Sequence, residues 1–238
     1  MRLHLLGVNG PFPQSGGATS GYLLETGDTL IQMDLGSGVL GRLTALTAPE
    51  SLNALFLTHW HFDHTADLSV LIYRLEAAGV VLPVFAPADP DSAMRRIVQS
   101  ASCFDLTDIA PGQVYTVGTA SVAVGPARHP VPAVGLRIEA ENKCLGYTGD
   151  TNTMPGLADF YRNCDLLLAD GLFPANNWAE GKPHLSAALA SALARDASVK
   201  RLVLTHLNPM FAPETLLSEA RPLFSDVTLA EAGNVITL

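Results

Sequence analysis

The sequence predicts an α/β fold with two β-sheets packed face to face and helices outside them. Short runs rich in Val, Ile and Leu recur along the chain and are bounded by Gly, Pro or Asp, as strands usually are. These runs form two strand-rich stretches, and each stretch is followed by helical patterns. No Ser-, Pro- or Gly-rich linker divides the chain, which predicts one domain over residues 1–238.

Each predicted strand is a short aliphatic or β-branched segment close to a turn-forming residue. The strands are predicted at Leu3–Val8, Tyr22–Glu25, Thr29–Asp34, Asn53–Thr58, Val81–Ala86, Gln113–Val117, Ser121–Val124, Gly135–Glu139, Lys143–Thr148, Asp165–Ala169, Arg201–Thr205 and Val235–Leu238. The first three follow one another through Gly-rich turns, which indicates a meander. Later in the chain, strands alternate with helices.

Three helices are predicted between these strands. In Thr65–Ala78, leucine and isoleucine residues recur at helical spacing. Leu185–Ala197 is rich in Ala and Leu and has Ser186 near its start, where a hydroxyl can cap the first turn. Pro213–Arg221 begins with proline, a residue that suits the first turn of a helix.

The composition predicts a folded protein with a substantial core, because 48% of the 238 residues are hydrophobic and 16% are charged. A formal net charge of −9 argues against a general nucleic-acid-binding surface. Bound divalent cations would reverse that charge locally, so a small anionic substrate is compatible with it. No apolar run approaches the roughly 18 residues of a membrane span. Leu3–Val8 is too short for a signal-peptide core, so we expect a cytoplasmic protein with no membrane partner.

The three cysteines, Cys103, Cys144 and Cys164, are scattered along the chain and form no metal-binding pair. Reduced, partly buried thiols are the ordinary state of such cysteines in a cytoplasmic protein. We therefore expect three free thiols and no cysteine-based zinc site.

A cluster of metal-ligand residue types follows the predicted strand Asn53–Thr58. It reads His59-Trp-His61-Phe-Asp63-His64. His59 and His61 are two residues apart, so extended backbone projects them to the same side, where they can share a cation. Asp63 and His64 begin the following helix, and a tight turn can direct them to a neighbouring position. Imidazole and carboxylate ligands suit Zn, Mn or Fe, and the lack of cysteine argues against a closed structural zinc site.

Four further candidates lie at the ends of predicted strands or just before a helix: His129, Asp150, His184 and His206. Loops in these positions are where the active sites of layered folds are usually built. A single histidine is more often a core or surface residue than a ligand, but six of the seven histidines lie at such positions. Only His4, inside the first predicted strand, does not.

Together these residues resemble the metallo-β-lactamase superfamily and, within it, the ribonuclease Z-like phosphodiesterase branch. The resemblance runs from Ser20-Gly-Tyr-Leu23 and Met33-Asp-Leu-Gly-Ser-Gly38, through the six-residue histidine run, to His129, Gly149-Asp150-Thr151, His184-Leu-Ser186 and Leu204-Thr-His206. The six-residue run is highly specific for the superfamily, and the other motifs occur in the expected order. The resemblance implies an αββα four-layer sandwich of two mixed sheets, with two metals at one edge.

By this resemblance, two divalent cations, Zn or Mn, have seven protein ligands. His59, His61 and His129 would hold the first cation, Asp63, His64 and His206 would hold the second, and Asp150 would bridge them. Two adjacent cations can lower the pKa of a shared water, which supplies hydroxide at neutral pH. Asp63 counts among the catalytic residues as well as among the ligands.

The resemblance also implies that His184 lies beside the substrate without contacting metal. There it would donate a proton to the departing oxygen, oriented by Asp170, which stands where branch members tend to have glutamate. Asp34 resembles the carboxylate that orients a ligand histidine. A turn residue that ends its strand is an equally good interpretation of Asp34. No residues are indicated for binding the rest of the substrate.

Only 21 positions separate His129 from Asp150, where ribonuclease Z commonly carries a long arm that grips transfer RNA. The sequence is therefore more similar to the small, armless cyclic phosphodiesterases. It predicts hydrolysis of a small or cyclic phosphodiester with no stable nucleic-acid partner. Relatives are often dimers, so a homodimer is compatible with the resemblance.

Two alternatives stay open. The same hydroxide can attack the carbonyl of a lactone, thioester or β-lactam, because the ligands do not discriminate between these electrophiles. His184-Leu-Ser186, which thioesterase-like members do not characteristically carry, favours the phosphodiester. The non-enzymatic alternative is a sensor that binds metal and a ligand without turnover, and the complete ligand set argues against it.

Overall fold

Two seven-stranded sheets lie at the centre of the computed structural model, which describes all 238 residues. In chain order the strands are β1 (Arg2–Gly7), β2 (Gly21–Thr26), β3 (Thr29–Met33), β4 (Ala54–Phe56), β5 (Leu82–Pro87), β6 (Phe104–Ile109), β7 (Val114–Val117), β8 (Ala120–Pro126), β9 (Val134–Ala140), β10 (Lys143–Tyr147), β11 (Leu166–Asp170), β12 (Leu202–Thr205), β13 (Val227–Leu229) and β14 (Val235–Thr237). All of the predicted strands are present. The sequence did not predict β6, an edge strand with exposed aspartates that dilute its apolar pattern, or the three-residue β13.

Seven α-helices connect the strands. They are α1 (Val39–Thr44), α2 (Phe62–Thr65), α3 (Leu68–Ala78), α4 (Ala93–Ser100), α5 (Leu157–Phe160), α6 (Ala187–Asp196) and α7 (Pro213–Ala220). The last two match predicted helices, whereas α1, α4 and α5 were not predicted. The predicted helix Thr65–Ala78 is present as α3 but begins at Leu68, because the chain breaks between α2 and α3. The N–H of Asp67 donates to the carbonyl of Leu35 at 3.2 Å, which interrupts the helical hydrogen-bond pattern.

Each sheet has an antiparallel part and a parallel part. The first sheet has the order β14-β1-β2-β3-β4-β5-β6, antiparallel through the predicted meander β1-β2-β3 and parallel from β3 to β6. The second has the order β13-β12-β11-β10-β9-β8-β7, antiparallel from β7 to β10 and parallel from β10 to β13. Both sheets are therefore mixed.

Three apolar clusters hold four layers together. The first lies between the sheets and includes the buried rings of Tyr22, Phe56 and Tyr147. The second covers the outer face of the first sheet with leucines of α1 and α3, and the third covers the second sheet with residues of α5, α6 and α7. Burial of apolar surface on both faces of each sheet is what stabilises this arrangement. The predicted αββα sandwich is confirmed. No helix has the length and apolar character needed to cross a membrane.

Candidate metal centre

The candidate site lies on loops that follow parallel strands. Asp34 follows β3, His59 follows β4, Asp150 follows β10 and His206 follows β12. Because the carboxyl ends of neighbouring parallel strands lie at one edge of a sheet, residues far apart in sequence meet there. His129 comes from the loop after the antiparallel strand β8. Both sheets therefore contribute side chains to the same edge of the sandwich.

The aromatic residues of the six-residue run hold it in place or face solvent. Trp60 is buried, and its indole N–H donates to the carbonyl of Pro87 at 2.7 Å. Phe62, in contrast, is 64% exposed. The N–H of Leu35 donates to the carbonyl of His64 at 2.7 Å, which fixes α2 against the loop after β3. With the run fixed by these contacts, its three histidines and its aspartate lie together at the site.

One group of ligand atoms comprises His59, His61, His129 and Asp150, all within 4.8 Å of one another. His61 Nδ1 lies 3.0 Å from His59 Nε2 and 3.1 Å from His129 Nε2. His59 Nε2 also lies 3.5 Å from Asp150 Oδ2. Nitrogens bound tetrahedrally at about 2.0–2.1 Å from one cation lie roughly 3.3 Å apart. The spacing of this group therefore suits a single cation.

A second group comprises Asp63, His64, Asp150 and His206. His64 Nε2 lies 3.2 Å from Asp150 Oδ1 and 3.8 Å from Asp63 Oδ2. His206 Nε2 lies 3.7 Å from the same Asp63 oxygen. Asp150 belongs to both groups, with one carboxylate oxygen toward each. The two groups are thus adjacent and share this carboxylate.

Buried polar atoms without hydrogen-bond partners test whether these residues fit a cation. His64 Nε2, Asp150 Oδ1 and His206 Nε2 are buried and make no hydrogen bond of acceptable geometry, although the first two lie 3.2 Å apart. Each such atom costs about 1–3 kcal/mol if it stays unsatisfied. All three belong to the second group, where a divalent cation would satisfy them together. The nitrogen and oxygen donors fit ions such as Zn²⁺ or Mn²⁺.

The protonation states of the groups also fit a cation. Burial lowers the pKa of His59 and His206 well below the usual value, and that of His129 to about 4. Burial alone would raise the pKa of Asp150, but nearby histidines, above all His206 and His64, hold it well below its usual value. Neutral imidazoles and an ionised carboxylate are the forms that bind metal ions.

Asp34 contacts the second group through His64, at the ring nitrogen that is not directed toward the site. Its fully buried carboxylate accepts from His64 Nδ1 at 2.8 Å, from the N–H of Thr58 at 2.8 Å and from the hydroxyl of Tyr147 at 2.6 Å. The contact with His64 Nδ1 directs Nε2 toward the site, which is the orienting contact expected of such a carboxylate. Asp34 also has a left-handed backbone, with φ of 54°. The contact and the turn geometry fit both interpretations of Asp34.

His64 lies at a position that attracts positive charge. Burial disfavours its charged form, but the carboxylates of Asp150, Asp34 and Asp63 outweigh burial and raise its pKa well above the usual value. A cation between these carboxylates would supply the positive charge in place of the ring proton.

We expect Asp34→Ala to lower the free energy of unfolding by about 3 kcal/mol or more, because the buried donors of Thr58, His64 and Tyr147 lose their acceptor. Cation affinity should fall by about 10–100-fold as His64 loses its orientation. Urea unfolding and chelator competition measure the two effects. The control is Asp105→Ala, which removes an exposed aspartate from β6. Unchanged cation affinity in Asp34→Ala would contradict the orienting role.

The sequence did not indicate the residues that hold His206. Ser20 Oγ lies 3.1 Å from His206 Nδ1, which is also 3.3 Å from Asp150 Oδ1, while Nε2 lies 3.7 Å from Asp63 Oδ2. Gly10 packs so closely against the ring that a Cβ at this position would overlap it. His206 itself has a left-handed backbone with φ of 56°. Ser20 lies in one of the motifs quoted above, but only the fold shows what it contacts.

His184 and Asp170 form a pair beside the two groups. His184 Nδ1 lies 2.8 Å from Asp170 Oδ2 and 3.8 Å from Asp150 Oδ2. The Asp170 carboxylate also accepts from the backbone N–H groups of Thr151 and Leu172. Burial disfavours the charged ring of His184, but Asp170 and Asp150 outweigh it and raise its pKa to about 9. Burial likewise raises the pKa of Asp170 to about 6, against the lowering effect of His184. The hydrogen bond to Asp170 thus favours the protonated form of the ring.

All of the predicted site residues lie at this edge of the sandwich. They are Asp34, His59, His61, Asp63, His64, His129, Asp150, Asp170, His184 and His206. Their roles as ligands, proton donor and supporting carboxylates stay predictions.

The sequence matches the family model described as "Beta-lactamase superfamily domain" over residues 31–207. It is 28% identical over 242 residues to the probable metallo-hydrolase YhfI of Bacillus subtilis, and the match covers 99% of both chains. The crystal structure of YhfI superposes with a TM-score of 0.93 at 30% identity, covering 99% of this chain and 98% of that one.

A second relative is the ribonuclease Z of Methanopyrus kandleri. It is 27% identical over 271 residues, and the match covers 98% of this chain and 96% of that protein. The structure of the short form of human tRNase Z superposes with a TM-score of 0.81 at 19% identity and covers 100% of this chain and 99% of that one. At that identity the likeness shows a shared fold.

Proposed function

The chain belongs to the β-lactamase superfamily and is related to its metallo-hydrolases, and on that premise we propose that it hydrolyses a small or cyclic phosphodiester at a site for two divalent cations. The observation that carries the proposal is the His184–Asp170 pair, which lies against the shared carboxylate of Asp150. A phosphodiester with a poor leaving group needs a proton donor for its departing oxygen. Asp170 orients His184 next to the ligand groups, as that role requires.

Two groups of this chain's residues would hold the cations. His59, His61 and His129 would hold one and Asp63, His64 and His206 the other, with Asp150 between them. Bound there, Zn²⁺ or Mn²⁺ ions would supply a water of lowered pKa and neutralise the charge that builds on the phosphate oxygens. Asp34 keeps His64 Nε2 directed toward the site.

His184 moves the proton in this proposal. Its Nδ1 is engaged by Asp170, so Nε2 is the atom that gives its proton to the departing oxygen. The backbone amides of Thr151 and Leu172 hold the Asp170 carboxylate still while this happens. Burial of both partners keeps bulk water from competing for the hydrogen bond between them.

The connection after His129 supports a small substrate. Only residues 127–133 join β8 to β9, and β9 leads through a short turn into β10. No segment there is long enough to extend over a large nucleic acid. The formal charge of −9 also disfavours a broad phosphate-binding surface. The relative named ribonuclease Z supports phosphodiester chemistry, while this connection favours a smaller diester.

A parallel assay tests the proposal. Metal-loaded protein is given bis(4-nitrophenyl) phosphate, 2′,3′- and 3′,5′-cyclic nucleotides and linear diesters, beside a glutathione thioester and a homoserine lactone. Elemental analysis reports metal content and distinguishes Zn from Mn. We expect diester hydrolysis and about two ions per chain. Faster hydrolysis of the thioester or lactone would favour the carbonyl alternative, and metal-loaded protein inert to every ester would favour the sensor.

A further inference from the structure

One asparagine side chain joins three loops around the site. Asn152 lies two residues after Asp150 and is fully buried. Its Nδ2 donates to the carbonyl of Glu180 at 3.1 Å and to that of Lys182 at 2.6 Å. Its backbone N–H donates to the carbonyl of Arg128 at 2.9 Å. The loops that carry His129, Asp150 and His184 thus meet at this residue.

The segment that Asn152 holds, residues 180–183, contacts the predicted ligand His129 and leads directly into His184. The carbonyl of Pro183 lies 3.1 Å from His129 Nδ1, which leaves His129 Nε2 directed toward His61. His184, the next residue, pairs with Asp170. A shift of residues 180–183 would therefore displace His184, which follows directly in the chain, and would reach His129 through the carbonyl of Pro183.

The chemistry of the side chain explains why asparagine suits this position. Its amide nitrogen carries two N–H donors, which meet two carbonyls, and its Oδ1 accepts from the N–H of Thr153 at 2.6 Å. Aspartate has the same shape but no donor, so it would place negative charge against both carbonyls. Alanine would leave these buried groups unpaired.

We propose that Asn152 is a positioning residue that fixes His184 for proton donation; this inference rests on the proposed phosphodiesterase function. Replacing it should impair the reaction most where the departing oxygen needs a proton most. A 4-nitrophenolate leaves readily without a proton, whereas a phenolate does not. The dependence of turnover on the leaving group therefore separates loss of positioning from general damage.

The test compares Asn152→Ala and Asn152→Asp with Asn53→Ala, which removes another asparagine side chain that bonds backbone, here by accepting from the N–H of Leu30 in β3, away from the site. Bound metal should stay near the wild-type level, and turnover of a phenyl diester should fall about 10–100-fold further than that of a 4-nitrophenyl diester. Equal losses on both esters would make Asn152 a structural residue. Loss of metal would make it a support of the ligands. Either result overturns the proposal.

Hydrogen exchange separates this proposal from the proposed function. The amides of residues 179–184 should exchange faster in both Asn152 variants than in wild-type and Asn53→Ala protein. Unchanged exchange would show that Asn152 does not hold the segment. A rise in exchange in the variants, together with wild-type protein that cleaves neither diester, would contradict the phosphodiesterase function. It would still show that the Asn152 side chain holds this segment.

A second inference rests on two buried thiols at the other ends of β10 and β11. Cys144 lies near the start of β10, and Cys164 lies two residues before β11. Their Sγ atoms are 3.0 Å apart, and Arg137 Nη1 lies 3.2 Å from Cys164 Sγ. An open cleft of about 580 Å³, lined in part by Lys143 and Cys144, reaches the first of the two cysteines. The sequence predicted three separate thiols and did not indicate this proximity.

The geometry points to a reversible disulfide between Cys144 and Cys164 that forms with hydrogen peroxide. The Cys144 thiolate would attack one peroxide oxygen and break the O–O bond, giving a sulfenic acid and, after protonation, one water. The Cys164 sulfur would then displace the hydroxyl as a second water, with the S–S bond formed. Two thiols thus lose two electrons and two protons, and the peroxide becomes two waters.

Small movements suffice for this bond. The Sγ atoms need to approach by about 1 Å to reach the bonded distance. The hydrogen bond between the two sulfurs lowers the pKa of the Cys144 thiol, which favours the reactive thiolate. The closed loop spans 20 positions, and cross-linking of that length restricts the unfolded chain.

Peroxide treatment tests the disulfide. Titratable thiols under denaturing conditions should fall from three to one per chain, the intact mass should drop by two hydrogens, and Tm should rise by about 5–10 °C. Dithiothreitol should reverse all three changes. Cys103→Ser should keep the mass and Tm responses, and Cys144→Ser should abolish them. Three thiols after treatment, or covalent dimers in place of the internal bond, would overturn the proposal.

Discussion

His184→Ala is expected to lower turnover of a phosphodiester by about 10²–10⁴-fold while bound metal stays near the wild-type level. The side chain pairs with Asp170 and lies beside the groups that would hold the cations. Its removal takes away the oriented donor and leaves the seven predicted ligands unchanged. The loss should be at the upper end of that range for a phenyl diester and smaller for a 4-nitrophenyl diester.

Steady-state kinetics and elemental analysis of the same preparation measure this result. His4→Ala is the matched control, because His4 lies in β1 and contacts Glu25, away from the site. It should retain both metal and turnover. If His184→Ala loses metal together with turnover, His184 is a ligand and not the proton donor.

Asp150→Asn should have the largest effect on metal binding. Asp150 belongs to both ligand groups, and each of its carboxylate oxygens lies within 3.5 Å of a ligand histidine. Asparagine keeps the shape but removes the charge and turns one oxygen into an NH₂ group that cannot bind a cation. Affinity for both cations should fall by more than the 10–100-fold that is typical for loss of a supporting partner. Turnover should fall with it.

Elemental analysis after dialysis against a weak chelator should find about two ions per chain in wild-type protein and fewer than one in Asp150→Asn. Asp226→Asn, which changes an exposed aspartate next to β13, is the control and should match wild type. One ion retained at wild-type affinity would show that Asp150 serves only one group and does not bridge them.

Most residues of this site could be predicted from the sequence because its histidines and aspartates are concentrated in a few short segments. The run His59–His64 follows a short apolar strand, so its position at a sheet edge could be predicted. Asp150 and His206 follow predicted strands, which the structure shows to belong to the parallel part of the second sheet, where carboxyl ends of strands meet. The strands themselves were predictable because buried β segments have dense aliphatic runs.

The remaining features depend on contacts between distant parts of the chain. Ser20 contacts His206, and Asn152 holds the backbone of Lys182, yet serine and asparagine are common in any loop. The break between α2 and α3 depends on the carbonyl of Leu35, which takes the N–H of Asp67. The spacing of apolar residues in a helix carries no information about a hydrogen bond to another loop, so the break could not be predicted from it.

The distribution of the ligands over both sheets has a consequence for the order of folding. During synthesis, residues 59–64 leave the ribosome well before His206, and the N-terminal part of a chain begins to fold first. Unfolded histidines also bind metal ions, although with lower affinity than a completed site. In excess Zn²⁺, nascent or refolding chains can therefore bind the ion through residues 59–64 before β12 has paired with β11. Metal added after refolding should then give a higher yield of native protein than metal present from the start.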